Sequence, residues 1–575
     1  MDKIVECVPN FSEGRDLEKI HTITDAIQSV DDVTLLDVDP GADTNRTVVT
    51  FVGSPDSIKE AAFQAIATAA QVIDMRKHKG THARMGATDV CPFIPVRGVT
   101  MDDCVLMARE VGERVASELK IPVYLYEHAA SSPDRQNLAV VRAGEYEGLE
   151  EKLKNPRWKP DFGEAKFNAR SGAVIMGARE FLIAYNINLN TKDKRWATDI
   201  AFELREKGRT KRIPNPLSQN LLDGEIVRDA TGKAVKVSGL FKEVKAVGWY
   251  VENYKRAQIS INFTNYKISP IHEVFDAACR LAEERGLRVT GSELVGLIPL
   301  EALLMAGRYY LKKQGRTPAV PENDLLEIAV QSLGLNDVAP FTAREKVIEY
   351  AVQQDRGGLE SMSVKDFISE LSTDSPAPGG GSVSALMGSL AAALTSMVAA
   401  LTHGKKGMEK KHSEMEKVGE KAQQLKDQLS DLVSADAQAF NVLLAAMRMP
   451  KSSDEQKIKR DSAIQEATRE ATKIPLEVAR LCTEVLELAD VIAREGLGAS
   501  ISDSGVAAEA AFAGFRGARL NVLINLPVVE DDQFKRLIKM EIDDLAEKAS
   551  KLKEKVLAQV EKVVTDSFTD IGSNR

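Results

Sequence analysis

The sequence predicts a multidomain chain: two α+β subdomains of the sheet-and-helix or ferredoxin-like kind, followed by an all-α helical bundle. At 575 residues it is long enough for three or four domains, each burying its own core. Up to about residue 335, short β-branched runs alternate with helical periods, whereas beyond residue 360 the periods are long, helical and almost free of strand signal. Between them, residues 336–360 carry Pro340, many charges and the pair Gly357-Gly358, the composition of a linker. The predicted domains are therefore 1–178 and 179–335 for the α+β subdomains, 336–360 for the linker and 361–575 for the bundle.

In the first subdomain, Ile4 to Val8, Val33 to Val38 and Thr47 to Val52 have strand character, with helical periods at Leu17 to Ser29 and Ser57 to Ile73. Asp37 to Arg46 follows a strand and predicts a tight turn bearing several carboxylates. Asp39 or Asp43 there could orient a histidine or an ammonium, or the segment is an ordinary Asp-Pro-Gly turn; spacing alone does not choose. A basic loop runs from His78 to Gly86, with His82 flanked by Arg76, Lys77, Lys79 and Arg84. Nearby cations disfavour an imidazolium, so His82 is predicted neutral near pH 7, the form a general base needs. The competing reading is a solvated basic loop with an incidental histidine.

The second subdomain opens with a strand at Phe181 to Leu189, continues through a helix at Thr198 to Lys207 and returns a strand at Ala257 to Asn262. The two asparagine-bearing strands are predicted to pair. A helix at Pro270 to Arg285 precedes Arg288-Val289-Thr290 and a turn-rich stretch, Gly291 to Pro299. Strand-helix-strand-strand-helix-strand order is ferredoxin-like. Ile213 to Gly239 is rich in turn formers and predicts a surface excursion with a short hairpin.

The bundle is predicted from helical periods at Ser363 to Glu370, Ser382 to Leu401, His412 to Met447, Asp454 to Glu487, Val506 to Asn525 and Asp532 to Asp566. Pro450 stops one helix, and Ser453 or Asp454 caps the next. Ser375 to Ser382 is a glycine elbow at a helix start. It offers free backbone amides to an anion, or close packing to a neighbour. It lacks the lysine of a P-loop, which disfavours nucleotide hydrolysis. Val383 to Leu401 approaches membrane-span length, but Ser384, Gly388, Ser389, Thr395 and Ser396 make it weakly apolar, so a buried bundle helix is predicted instead of a span. Asp436 lies among small and apolar residues inside a helix. It is either an exposed helix acid or a buried carboxylate that must be paired or functional. Lys405 and Lys406 could hold carboxylates or complement the helix dipole.

Acid exceeds base, 85 residues against 76, leaving no basic footprint for nucleic acid. Cys7, Cys91, Cys104, Cys279 and Cys482 are scattered and never in metal-ligand spacing, which fits a reducing cytoplasm. The N-terminus turns polar too soon for a signal peptide.

Four segments, Val8 to Arg15, the His82 loop, Asp89 to Val96 and Ala143 to Glu147, resemble the glutamate formimidoyltransferase family. Pro376 to Ser382, Ala435-Asp436-Ala437 and Asn521 to Leu526 resemble formimidoyltetrahydrofolate cyclodeaminases. In that order, nearly the whole chain is similar to the bifunctional formimidoyltransferase-cyclodeaminases of histidine breakdown. The resemblance implies transfer of a formimidoyl group from formimidoylglutamate to tetrahydrofolate, then ring closure with loss of ammonia. It places the transferase histidine on His82; to this the chemistry adds Asp39 as an orienting partner and Arg84, or neighbouring cations, as a holder of substrate carboxylate. It places folate contacts on Gly163, Glu164, Ala165, Lys166, Phe167, Asn168, Ala169, Arg170, Ser171 and Gly172. In the bundle it places the cyclodeaminase aspartate on Asp436, where proton transfer is expected, and the elbow Pro378, Gly379, Gly380, Gly381 and Ser382 is expected to shape the wall or bind an anionic or polar group of folate. Tetrahydrofolate, with or without a polyglutamate tail, is the implied carrier, with no metal or nicotinamide. The implied partners are these small molecules and further copies of the chain, with no nucleic acid. Two departures stand out: Glu164 to Arg170 is more charged, and the Ile213 to Gly239 excursion longer, than in the animal enzymes. Two other readings remain open, a transferase fused to a methenyltetrahydrofolate cyclohydrolase and a non-catalytic folate-binding scaffold.

Overall fold

A computed structural model describes residues 3–42, 44–80, 83–352 and 358–573. The chain divides into two compact units, Met1–Ala306 with Val330–Gln354, and Gly307–Ala329 with Asp355–Arg575.

The first unit begins with β1 (Ile4–Cys7) and β2 (Asn10–Phe11), one line of backbone interrupted at Pro9. There follow α1 (Leu17–Gln28), β3 (Val33–Gly41), β4 (Arg46–Gly53), α2 (Pro55–Val72), β5 (Thr88–Arg97), α3 (Met101–Leu119) and β6 (Val123–Glu127). Two short helices, α4 (Leu138–Arg142) and α5 (Leu149–Lys154), precede β7 (Val174–Ala178). In the sheet β3 pairs with β4, β4 with both β1 and β2, these with β5, and β5 with β7, which pairs with β6. The β5–β7 and β6–β7 ladders are parallel, and the others antiparallel. The helices start where the sequence supplies caps. Asp16 accepts from Lys19 N, and Thr100 with Asp103 forms a reciprocal capping box. Phe51, Phe93, Ile23, Ile58 and Ile66 are fully buried in the core shared by this sheet and its helices. Each such side chain contributes about 1.5–3 kcal/mol of transfer free energy.

The turn predicted over Asp37 to Arg46 comes later than expected. β3 runs straight through Asp39 and Pro40 to Gly41, in register with β4. An edge strand tolerates Pro40 because one of its sides carries no ladder. Asp43 lies outside the described residues.

The second subdomain comprises β8 (Ile183–Leu189), α6 (Lys194–Leu204), β9 (Arg209–Thr210), β10 (Arg212–Ile213), β11 (Glu225–Ile226), β12 (Lys236–Val237), β13 (Val244–Val251), β14 (Arg256–Phe263), α7 (Ile271–Glu283) and β15 (Val289–Val295). Its antiparallel sheet has the order β13-β14-β8-β15. With helices after the first and third of these in chain order, it is the ferredoxin-like arrangement. The asparagine-bearing strands β8 and β14 pair, with Ile259 opposite Ile187. Gly291 to Val295, expected as turn, belongs to strand β15. Gly291 is there because a Cβ would stand 2.7 Å from the Gly334 carbonyl oxygen. The excursion forms two tiny ladders, β9–β12 and β10–β11. Arg209 roots it, donating to the fully buried Asp199 at 2.7 Å and to Glu203 at 3.1 Å, while Arg285 donates to Asp199 from the end of α7 at 2.7 Å.

Helices α8 (Leu300–Lys313) and α9 (Glu322–Leu333) follow. The stretch expected as a linker carries α10 (Ala343–Lys346) and α11 (Ile348–Val352). It packs onto the first unit. Val347 bridges to Ile298, both Val347 and Ile348 are fully buried, and Glu349 accepts from Leu300 N at 2.8 Å.

The second unit is helical: α12 (Val364–Leu371), α13 (Gly380–His403), α14 (His412–Met447), α15 (Asp454–Glu495), α16 (Ile501–Asn525) and α17 (Asp532–Ser573). By length and composition alone α13 could cross a membrane. Here its Ala385, Ala391, Ala392, Val398 and Ala399 are fully buried among the other helices. Glycines permit the close approach. A Cβ on Gly388 would stand 2.6 Å from Cys482 Sγ, and one on Gly517 would stand 2.2 Å from Ser384 Oγ. α15 runs further than its periodicity suggested because Ala489, Ile492 and Ala493 continue its buried face.

Candidate active sites

His82 and Thr81 lie outside the described residues, but the segments on either side of them are pinned. Asn45, in the left-handed conformation (φ 50°), accepts from Gly14 N at 3.0 Å and donates to Lys79 O at 3.0 Å. His78 Nε2 lies 2.8 Å from the Asn45 carbonyl oxygen, and Arg84 Nε lies 3.2 Å from His78 Nδ1. A carbonyl only accepts and an arginine only donates, so His78 is the neutral tautomer with hydrogen on Nε2. Burial, foremost, and the Arg84 charge hold its pKa below the usual histidine value.

Arg84 is almost fully buried and already committed. Its Nη1 donates to Glu145 at 3.1 Å and to Glu147 at 2.9 Å, and Nη2 donates to Glu147 at 2.6 Å. These bonds make it a brace for the loop, and a substrate carboxylate would have to displace a glutamate to reach it. The Asp39 side chain is exposed on β3 and makes no hydrogen bond or ion pair among the described residues. The Gly163–Gly172 loop is sewn to the segment after His82. Ala87 N donates to Ser171 O at 2.8 Å, and Tyr146 hydroxyl donates to Ala169 O at 2.5 Å. Gly172 has φ 69°, and a Cβ there would stand 2.1 Å from Met85 O. The loop's first half, including Glu164, Lys166, Phe167 and Asn168, lines a cavity of about 900 Å³ together with Glu113 and Lys120. Ala165 and Arg170 are exposed, and Arg170 Nε donates to Ala70 O at 3.2 Å.

A second cavity, of about 760 Å³, opens between the two α+β subdomains, lined by Ala83, Arg142, Glu145 and Arg179 on one side and by Glu243, Lys245 and Asn265 on the other. Ala83 is the residue after His82, so the basic loop borders this cleft. Sequence reasoning missed most of these groups. Arg142 is ion-paired through Nη2 to Asp89, which is fully buried and also accepts from Met85 N at 2.9 Å. Three glutamates on the cleft, Glu127, Glu145 and Glu243, hold left-handed backbone at φ 50°, 52° and 55°. Non-glycine residues in that region cluster at functional sites.

In the helical unit the structure brings the glycine elbow and Asp436 together. Ser382, in the first turn of α13, donates through Oγ to Asp436 Oδ2 on α14 at 3.3 Å. Burial raises the Asp436 pKa above the ordinary aspartate value, and hydrogen bonds from the Ser382 hydroxyl and backbone partly oppose it. A Cβ on Gly381 would lie 2.0 Å from Asp436 Oδ1, and one on Gly380 would lie 3.7 Å from Asn521 Nδ2 of α16. The elbow therefore sits between a carboxylate and an amide, with Gly379 facing open space and Pro378 buried beside it. A carboxyl group that exchanges its proton above the usual range is suited to general acid or base work. Among the described residues, no group of three His, Cys, Asp or Glu side chains could hold a metal ion.

The chain matches three family models: residues 4–179 the formiminotransferase domain, N-terminal subdomain; residues 184–353 the formiminotransferase domain; and residues 363–544 formiminotransferase-cyclodeaminase. It is 44% identical to the formimidoyltransferase-cyclodeaminase of Rattus norvegicus over 565 residues, 98% of this chain and 99% of that one. A glutamate formimidoyltransferase of Thermoplasma acidophilum is 42% identical over 314 residues, 54% of this chain and 93% of the relative. A methenyltetrahydrofolate cyclohydrolase of Methylorubrum extorquens is 37% identical over 202 residues, 35% of this chain and 97% of the relative.

Proposed function

The chain belongs to the formimidoyltransferase-cyclodeaminase family, and we propose that it is a bifunctional enzyme of histidine degradation. It transfers the formimidoyl group of N-formimidoyl-L-glutamate to tetrahydrofolate, releasing glutamate, and then closes 5-formimidoyltetrahydrofolate to 5,10-methenyltetrahydrofolate, releasing ammonia. The observation that carries the reading is that one chain holds both kinds of matched region in tandem over almost its full length.

Attack of a ring amine on the amidine carbon gives a tetrahedral centre, and its collapse depends on which nitrogen carries the proton. The transferase is assigned to residues 1–335, with His82 as the proton shuttle and Asp39 as its orienting partner. A neutral His82 fits that task. Arg84 braces the loop, and Gly163–Gly172 is assigned to folate. In residues 361–575 the second folate amine attacks the same carbon within one molecule, so proximity replaces a bimolecular encounter. Asp436 protonates the leaving nitrogen, and Pro378–Ser382 forms the wall against folate. The raised Asp436 pKa supports this role, because the group must hold a proton to give one. Neither step calls for a metal or a nicotinamide. A cytoplasmic location is part of the reading, supported by five free thiols. So is a homo-oligomer, supported by the exposed apolar side chains Leu390, Met397 and Leu401 on α13.

The test is a coupled assay on the purified chain, following methenyltetrahydrofolate absorbance and ammonia from formimidoylglutamate. Appearance of both is expected. Transfer without ammonia would favour a second reading, in which the helical unit is a cyclohydrolase, the activity named for its bacterial relative.

A further inference from the structure

We propose that Arg142 and Arg179 are a paired anchor for the two carboxylates of the amino-acid substrate, with Arg142 braced by Asp89. The inference rests on the transferase reading, which makes the substrate a dicarboxylate, and adds the residues that recognise it.

Both arginines line the cleft between the subdomains, and Arg142 is backed by an acid that the transfer chemistry leaves unused. Behind Arg142 is Asp89 on β5, fully buried, taking Nε at 3.3 Å and Nη2 as well. That leaves Nη1 without a partner among the described residues. A guanidinium fixed along one edge keeps its remaining donors pointed at the cavity and loses little freedom when it takes a carboxylate. Asp89 cannot turn away, because its Oδ1 also accepts from Met85 N.

Arg179 follows β7. Its backbone N donates to Phe93 O at 3.2 Å, and Phe93 is paired with Cys7 and Ile94 with Glu6, so Arg179 joins the sheet beside the Glu6 register. The side chain of Arg179 makes one hydrogen bond among the described residues, Nη1 to Glu180 O at 3.0 Å, so most of its donors are available. Arg84, the cation nearest to His82 in sequence, is already engaged by Glu145, Glu147 and His78. Lys245 on the opposite wall is exposed and offers a point charge without the planar fork that holds a carboxylate by two bonds.

The experiment measures KM for formimidoylglutamate and for tetrahydrofolate on the full chain, with glutarate and butyrate as competing inhibitors. The unaltered protein is expected to bind glutarate more tightly than butyrate by about tenfold or more. Arg179→Gln and Arg142→Lys are each expected to raise KM for formimidoylglutamate by about tenfold or more and to abolish the glutarate preference, with KM for tetrahydrofolate within about twofold. Arg142→Lys keeps a cation beside Asp89, so loss of folding does not confuse the result. An unchanged glutarate preference in both arginine variants overturns the proposal, as does a parallel rise in both KM values. If the unaltered chain transfers nothing from formimidoylglutamate, the transferase reading itself fails and the anchor falls with it.

Discussion

The side-chain amide of Asn525 donates to the carbonyl oxygen of Ala471 at 2.8 Å. Ala471 is four residues before Pro475, which sits inside α15 and has no N–H to give it. Asn525, at the end of α16, thus supplies a helical hydrogen bond that the sequence of α15 cannot make. Ala471 is buried, so without Asn525 its carbonyl would be left unsatisfied. Asn525→Ala is expected to destabilise the helical unit by about 1–3 kcal/mol. In a Pro475→Ala background, where the backbone donor returns, the same change should cost less. Denaturant titration of the four proteins, followed by helical circular dichroism, gives the coupling. Equal costs in both backgrounds would show that the two residues do not act together.

Gly381→Ala separates shape from chemistry at the elbow. The added Cβ would fall 2.0 Å from Asp436 Oδ1, so either the carboxylate or the first turn of α13 must shift. Ammonia release from supplied formimidoyltetrahydrofolate should drop on the order of 10²-fold, the scale of a displaced proton donor, while glutamate release keeps its rate. Retained ammonia release would mean that the close approach of Gly381 to Asp436 has no catalytic consequence.

The bundle was largely legible because long helices repeat one face many times. The period over His412 to Met447 coincides with α14, and Ser453, one of the two caps the sequence offers, caps α15. Strand β5 was harder. Pro92 and Pro95 argue against a strand, yet Pro92 pairs with Gly177 and Pro95 with Val5 in the middle of the sheet. The expected linker was misleading for a related reason, since Val347 and Ile348 are only two apolar residues and their burial depends on Ile298, far away in sequence. At the sites, Asp436 was visible as an acid among apolar neighbours, and the glycines before Ser382 announced a close approach. Arg142 and Arg179 carried no local signal. What distinguishes Arg142 is the buried Asp89 that it faces at a separation of 53 residues, and what distinguishes Arg179 is its place on the same cleft; no window of sequence contains either.

Glu6 makes the stability of the first unit depend on pH with a definite sign. Burial is the main cause of its rise from 4.5 to about 7, partly opposed by Arg179 and reinforced by Glu349. A carboxyl whose pKa is higher folded than unfolded binds more protons in the native state, so its contribution is fully present below the unfolded value and is lost as pH rises through the folded one. Relative to Glu6→Gln, the unaltered first unit should therefore lose stability between pH 4.5 and about 7, on the order of 3 kcal/mol. Hydrogen-exchange protection of β1 and β5 amides in the two proteins measures it. A difference that does not change over that range would place the Glu6 titration elsewhere.

The two chemistries should come apart under single substitutions. His82 and Asp436 lie in units of different architecture, and each is assigned proton transfer in only one step. Asparagine keeps the outline of Asp436 and can still accept from Ser382, but it cannot deliver a proton to the leaving nitrogen. Asp436→Asn is therefore expected to release glutamate at the parent rate while formimidoyltetrahydrofolate accumulates and ammonia release falls on the order of 10²- to 10⁴-fold. His82→Ala is expected to do the reverse, losing glutamate release and still converting supplied formimidoyltetrahydrofolate. Glutamate, ammonia and methenyltetrahydrofolate are followed separately, on variants whose circular dichroism and melting match the parent. Ammonia at the parent rate from Asp436→Asn would remove that residue from the ring-closing step. Loss of both half-reactions in His82→Ala would show that the second site works only when the first is intact, and the pairing of the two units on one chain would then be a functional dependence as well as a covalent one.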